Sequence, residues 1–315
     1  MPLEPRVKRF LDALAASNPP DALSMPVAQR RASLAQLMQL AGPPVAFAAT
    51  GDGTLPGPAG ILPIRIYTPA IGPAIGASAL LPGLVYFHGG GLVAGSIATH
   101  DSLAQALAAA GGCRLVSVGY RLAPESPYPA ALDDALAAIR YVAAHAQELG
   151  IDPHRLGVCG DSAGGTLVAA ACQSLGRAGD PTLALQLLIC PILDYGGVSA
   201  SRREFAHGYL VDEATLAHDL RHSLPPGMEA ADPRISPLRA QSLVGLPPTI
   251  IHTAEYDPLR DEGRAYYLRL EHARSALSYT CHAGMVHLFY GLGGVIPYAR
   301  TAIDKIGGEI RAALA

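Results

Sequence analysis

From residue 60 onward, short apolar runs alternate with segments whose apolar residues recur every three or four positions. The runs "ILPIRIY", "LPGLVYF", "CRLVSVGY", "RLGVCG", "ALQLLIC", "PTIIHTAEY" and "SYTCHA" read as strands. Between them the clearest helical pattern covers 129–149, where Leu132, Ala135, Leu136, Ile139, Val142, Ala143, Ala146 and Leu149 share one face. Asp133, Asp134, Arg140 and Glu148 fall on the other face, and Gly150 ends the pattern. Strand and helix in alternation require crossover connections, so the chain predicts an α/β fold with a mainly parallel sheet covered by helices on both sides.

Two stretches break the alternation. Residues 1–44 are helical by pattern and end at Gly42-Pro43-Pro44, and residues 195–235 place polar and helical sequence between two strands. Forty residues is long for a crossover loop, and excursions at the carboxyl ends of parallel strands usually roof the ligand crevice. The expected organisation is therefore N-terminal cap helices in 1–44, an α/β core in 45–194 and 236–315, and a cap insertion in 195–235. "GPAIGASALLPG" reads as a tolerant surface loop.

Composition narrows the class of partner. Half of the 315 residues are apolar and 16% are charged, which excludes a disordered chain. A net charge of -3 without a Lys/Arg cluster leaves no footprint for nucleic acid or anionic lipid and points to small molecules. The five cysteines show neither a C-x-x-C pair nor zinc-binding spacing, so they read as buried thiols in a reducing compartment. The N-terminus carries Glu4 and Asp12 and has no h-region of a signal peptide, and no apolar run is long enough to span a membrane. A soluble cytoplasmic protein is expected.

Candidate chemistry sits in two glycine-rich stretches. Gly160-Asp161-Ser162-Ala163-Gly164 matches G-x-S-x-G, with an apolar strand before it and an apolar helix after it. Such a turn presents Ser162 at a helix N-terminus, where unpaired N–H groups and the helix dipole favour developing negative charge. In "VYFHGGGLVAGS", a strand runs into His88 and three glycines. Acyl transfer through a serine needs donors aimed at the oxyanion, and glycines leave backbone N–H groups open to a substrate carbonyl. His88 reads as an anchor for that loop. A phosphate cradle over 89–91 lacks the G-K-[ST] or G-x-G-x-x-G framing.

HGGG at 88–91, "YRLAPE" at 120–125, "GDSAGG" at 160–165, "DPRISPL" at 232–238 and "AEYDPLRDEG" at 254–263 together resemble the bacterial hormone-sensitive-lipase family of α/β-hydrolase carboxylesterases. In this fold the order is nucleophile, acid, histidine. Asp257 follows the strand "PTIIHTAEY", and His287 follows "SYTCHA" in the loop "GMVHLF". Asp261 and Glu262 instead suit a helix start, Glu255 stays with its strand, His252 lies inside a strand and His282 falls short of the loop tip. The family pattern matches Asp257 and His287. The resemblance further implies oxyanion donors at the N–H groups of Gly90, Gly91 and Ala163, and bracing roles for Asp161 and Glu125. His100-Asp101 reads as a helix cap.

Three positions depart from the family pattern: Leu92, where an aromatic is common, Thr166 in place of Asn, and Leu288, where Gly often precedes Phe289. They leave the triad intact and bear on pocket shape, for which Leu92, Val93, Leu210 and Val286 are the expected walls. The reading is a serine carboxylesterase working through an acyl-enzyme, with no metal or organic cofactor implied and a homodimer as the expected assembly. The resemblance implies short- to medium-chain acyl esters and tolerance of bulky alcohols. An amidase, lactonase or acyltransferase on the same triad stays open, as does a ligand-binding receptor on the same fold.

Overall fold

The computed structural model describes residues 2–18, 20–42, 49–70, 80–176 and 178–315. Eight strands form one sheet: β1 (Ala49–Gly57), β2 (Gly60–Thr68), β3 (Leu81–Phe87), β4 (Arg114–Val118), β5 (Ile151–Asp161), β6 (Leu185–Ile189), β7 (Thr249–Tyr256) and β8 (Ala276–Val286). Their spatial order is β1-β2-β4-β3-β5-β6-β7-β8. β1 and β2 run antiparallel at one edge, and every pairing from β4 to β8 is parallel. The alternation of strand and helix thus yields the sheet it predicts.

Both faces of the sheet are buried because its central strands are apolar on both sides. Along β3, Val85 and Phe87 enter one core, shared with α4 (Ala130–Ala144), α5 (Ala163–Ser174) and α8 (Arg260–His272). The alternate residues Leu84 and Tyr86 enter the other core, shared with α3 (Asp101–Gly111) and α9 (Tyr298–Ala313). The period of two along a strand therefore feeds two separate cores from one seven-residue segment.

Four local readings need correction. β1, "ATGDGTLPG", has no apolar run and only Leu55 is buried, yet it pairs with β2 along its whole length, from Ala49 opposite Thr68 to Gly57 opposite Gly60. An edge strand tolerates Pro56 because the N–H that proline lacks would face outward there, away from any ladder partner. Asp134, expected on the exposed face of α4, is fully buried and holds Arg121, whose Nη2 donates to its Oδ1 at 2.7 Å. His100 occupies the N-cap position of α3 but its side chain caps nothing, and Asp101 instead accepts from Arg65 and Tyr67 at 2.9 and 2.7 Å. The pattern at 129–149 gives a helix that ends at Ala144, with Gly150 at φ +68° closing the turns that follow.

The two stretches outside the alternation are helical. The N-terminal one holds α1 (Pro5–Ala16) and α2 (Val27–Met38), and 195–235 holds α6 (Ala200–Glu204) and α7 (Glu213–Ser223). Asp212 starts α7 by accepting the N–H of Thr215 at 2.8 Å, a side-chain cap on an otherwise orphaned donor. Pro43 and Pro44, and the expected surface loop at 72–79, lie outside the described residues, while Leu81, Pro82 and Gly83 from the end of that loop belong to β3. Four of the cysteines are buried as free thiols, and Cys281 is exposed. Among the described residues no helix is long and apolar enough to cross a membrane.

Candidate active site

β5 ends at Asp161 and α5 begins at Ala163, so the whole reversal falls on Ser162. Its backbone sits at φ +52°, ψ -120°, a region that side chains strain to occupy. Close packing enforces this. A β-carbon on Gly160 would stand 2.3 Å from the Gly164 carbonyl oxygen, and one on Gly164 would stand 2.0 Å from the Phe87 carbonyl oxygen at the end of β3. The serine is fixed by its own main chain, with its N–H donating to Ile189 O at 2.9 Å and its carbonyl accepting from Ile192 N at 3.1 Å.

Asp257 and His287 follow the carboxyl ends of β7 and β8, at the same rim of the sheet. His287 Nε2 lies 3.1 Å from Ser162 Oγ, and His287 Nδ1 lies 2.7 Å from Asp257 Oδ2. The other carboxylate oxygen of Asp257 accepts the N–H of Leu259 at 2.8 Å, which fixes its rotation. All three are secluded, at 6%, 1% and 0% exposure for Ser162, His287 and Asp257. Leu288, directly after the histidine, holds φ +65°, which explains why a glycine suits that position. A hydroxyl, an imidazole and a carboxylate in this sequence can move a proton off the serine as it attacks a carbonyl.

The competing side chains are engaged elsewhere. Asp261 starts α8, accepts Ser201 N at 2.8 Å and pairs with Arg260. Glu262 is buried beside Arg202, and Glu255 accepts Gly284 N at 2.7 Å. His252 and His282 bond to one another at 3.0 Å inside the sheet, with Glu309 on the far side of His252.

The glycine loop abuts the serine: a β-carbon on Gly89 would lie 3.0 Å from Ser162 Cβ. Gly90 and Gly91 hold φ +121° and +67°. Among the described residues none accepts the N–H of Gly90, Gly91 or Ala163. Below the loop lies a buried polar group. Asp161 Oδ1 accepts from Tyr86 OH at 2.5 Å and from Gly89 N at 3.0 Å. Burial raises the Asp161 pKa, opposed by the Tyr86 hydroxyl. The His88 ring stacks on Tyr120 and His100, and its Nδ1 lies 2.9 Å from Gly89 O. Burial lowers His88 to about 3 and His100 to about 4, so both are neutral near pH 7. Of the expected pocket walls, Leu92, Val93 and Val286 are buried and Leu210 is half-buried at φ +73°.

Several residues against this site carry no sequence signal. Arg31 of α2 donates to Val93 O at 2.8 Å and Ala123 O at 3.1 Å, and pairs with Glu125, whose pKa that guanidinium lowers to about 2. Ser223 of α7 donates to Gly91 O at 2.9 Å. The Cys190 thiol, read from sequence only as a core residue, lies within 4.8 Å of the Asp257 and His287 side-chain ligand atoms. Burial foremost, with Asp257 beside it, pushes its pKa well up. No periodicity could have found these, because each depends on where a distant helix or strand end lands.

A model of the α/β hydrolase fold family matches residues 84–291. A carboxylic ester hydrolase, LipN, of Mycobacterium tuberculosis is 40% identical over 276 residues, 84% of this chain and 70% of that one. An ethyl acetate hydrolase of Pseudomonas putida is 38% identical over 249 residues, covering 78% of this chain and 76% of its own. Among solved structures, an ester hydrolase from the metagenome of Lake Arreo, complexed with a bipyridine phosphonate derivative, superimposes with a TM-score of 0.93 at 39% identity, covering 98% of both chains. With its mainly parallel sheet and serine-bearing turn, the chain belongs to the hormone-sensitive-lipase family of the α/β hydrolases and is a carboxylic ester hydrolase.

Proposed function

We propose that Ser162 is the nucleophile of this hydrolase, His287 its general base and acid, and Asp257 the group that orients the imidazole and stabilises it when charged. The observation that carries this is the continuous hydrogen-bonded chain from Ser162 Oγ through His287 to Asp257 at 3.1 and 2.7 Å. Ser162 Oγ adds to the ester carbonyl and its proton passes to His287. The carbonyl oxygen becomes an anion facing the N–H groups of Gly90, Gly91 and Ala163. The proton then goes to the departing alcohol, and water repeats the sequence on the acyl-enzyme. His88, Gly89, Asp161 and Glu125 shape the loops that present these donors.

The substrates are short- to medium-chain acyl esters, a reading supported by the seclusion of Ser162 and by the relative named for ethyl acetate. Residues 1–44 and 195–235 act as the cap over a core of 45–194 and 236–315, and Leu92, Val93, Leu210 and Val286 line the pocket. Arg31 and Ser223, which reach the glycine loop from those two segments, support the cap. A cytoplasmic homodimer completes the reading; light scattering on the purified protein decides the assembly.

The test is a p-nitrophenyl ester series run beside matched p-nitroanilides on the wild type and Ser162→Ala. Ester turnover that peaks at short or medium chains and falls by about four orders of magnitude or more in Ser162→Ala, with the thermal midpoint kept, is expected. Faster anilide turnover would favour an amidase, and ester turnover unchanged in Ser162→Ala would refute the nucleophile.

A further inference from the structure

Asp219 sits in the middle of α7, pressed against the glycine loop. Its carboxylate lies on the face of Gly91 from which a side chain would project: a β-carbon there would stand 2.0 Å from Asp219 Oδ2. The side chain is 5% exposed. A carboxylate so close to a group that receives an oxyanion is an electrostatic liability, since like charge opposes the charge that develops in the transition state. The structure neutralises it. Arg30 of α2 donates from Nε to Asp219 Oδ1 at 3.1 Å and from Nη2 to Oδ2 at 2.8 Å, a two-pronged pair in which the arginine side chain is itself only 13% exposed. His218 Nδ1 lies 3.0 Å from Asp219 Oδ1, with its Nε2 2.9 Å from Met25 O.

We infer that Arg30 and Asp219 are positioning residues for the oxyanion: the pair seats Gly91 from the cap side, and the Arg30 charge cancels that of the carboxylate that does the seating. This rests on the reading of Gly90 and Gly91 as oxyanion donors. The pair also joins the two stretches that break the α/β alternation, because Arg30 lies in one and Asp219 in the other. The donor geometry of the core is thereby completed only when both segments are docked.

The experiment compares Arg30→Met, Asp219→Asn and the double variant, using kcat and KM for p-nitrophenyl butyrate, thermal midpoints, and inhibition by an alkyl trifluoromethyl ketone. Addition of Ser162 Oγ to that ketone passes its proton to His287 and leaves an anionic hemiketal oxygen, so the inhibitor reports the same charge as the transition state. Arg30→Met removes the guanidinium and leaves only the His218 ring against the carboxylate. It should lower kcat by about 100-fold, with KM changed less than threefold, and weaken the ketone in parallel. Asp219→Asn keeps the shape without the charge and should lose less than tenfold in kcat. The double variant should recover at least tenfold over Arg30→Met.

A merely structural brace predicts the opposite for the double variant, at or below the worse single one. That result, or an Arg30→Met variant with kcat within twofold of wild type, overturns the inference. Should Arg30→Met not fold, Asp219→Asn decides alone: its ketone affinity should hold or rise, and a loss beyond tenfold overturns the charge argument. If the wild type fails to bind the ketone, or Ser162→Ala binds it equally well, the oxyanion reading falls and this inference with it.

Discussion

The two glycine-rich turns beside Ser162 are built by opposite means. At 160–165 the constraint is close steric packing. Gly160 is packed against the backbone of Gly164 and Gly165, Gly164 against that of Phe87, and Gly165 against the ring of Pro191, so backbone and a rigid proline leave no flexible side chain to yield. At 88–95 the N–H groups of Val93 and Ala94 donate to Gly90 O at 3.2 and 2.9 Å, and much of the remaining hold comes from side chains. Asp161 holds Gly89, Tyr120 OH donates to His88 O at 2.7 Å, Ser223 and Asp219 hold Gly91, and Arg31 holds Val93. The serine turn is therefore held by backbone packing at the rim of the sheet, whereas the glycine loop also draws on side chains from the end of β5, the segment after β4 and two helices. One site thus combines a serine turn fixed by backbone with a glycine loop whose placement depends on distant side chains.

Substitution should separate the two turns. Gly164→Ala sets a β-carbon 2.0 Å from a backbone carbonyl of the central sheet, so it should abolish soluble expression or lower the thermal midpoint by more than 10 °C, an overlap larger than ordinary overpacking. Circular dichroism melts decide it, and a native-like midpoint would show that the turn can relax.

Gly91→Ala meets a side chain instead of backbone, with the Asp219 carboxylate 2.0 Å and its Cβ 2.5 Å from the new β-carbon, at φ +67°. The thermal midpoint should fall less than in Gly164→Ala while the displaced N–H lowers kcat about 100- to 1000-fold, as the loss of one oxyanion donor does. Steady-state kinetics beside a melt test this, and a kcat loss under threefold would mean that Gly91 lies outside the donor set.

The smallest effect concerns acid. His88 at about 3 and His100 at about 4 lie beside the glycine loop, and His282 of β8 at about 3 stacks on His252 of β7; burial lowers all three. Each is below the ordinary histidine value near 6.5, so the unfolded chain binds protons that the folded chain refuses. Stability is complete well above pH 6.5 and declines as pH falls toward 4. Thermal midpoints measured from pH 7.5 to 4.5 should drop steadily, and a flat profile would contradict the burial of these rings.

Much of this was legible in the chain. The turn at Ser162 was readable because its cause is contiguous: an apolar strand, glycines at fixed offsets and an apolar helix within 156–172. The choice of Asp257 over Asp261 leaned on resemblance, and the structure accounts for it physically, since Asp261 is occupied by Ser201 N and Arg260. β1 escaped notice because its edge position demands no apolar run, and Asp134 escaped because a buried carboxylate looks like a surface one until Arg121 arrives.

The sequence by itself determined the strand and helix alternation, the strained serine turn and the identity of the glycine loop, all of which follow from periodicity and backbone sterics over a dozen residues. Tertiary structure alone decided that Arg30 and Asp219, 189 residues apart, meet over Gly91, and that Cys190 lies beside the Asp257 and His287 side chains. Such contacts join charges and backbone groups whose separation along the chain carries no period, so only the packed molecule defines them.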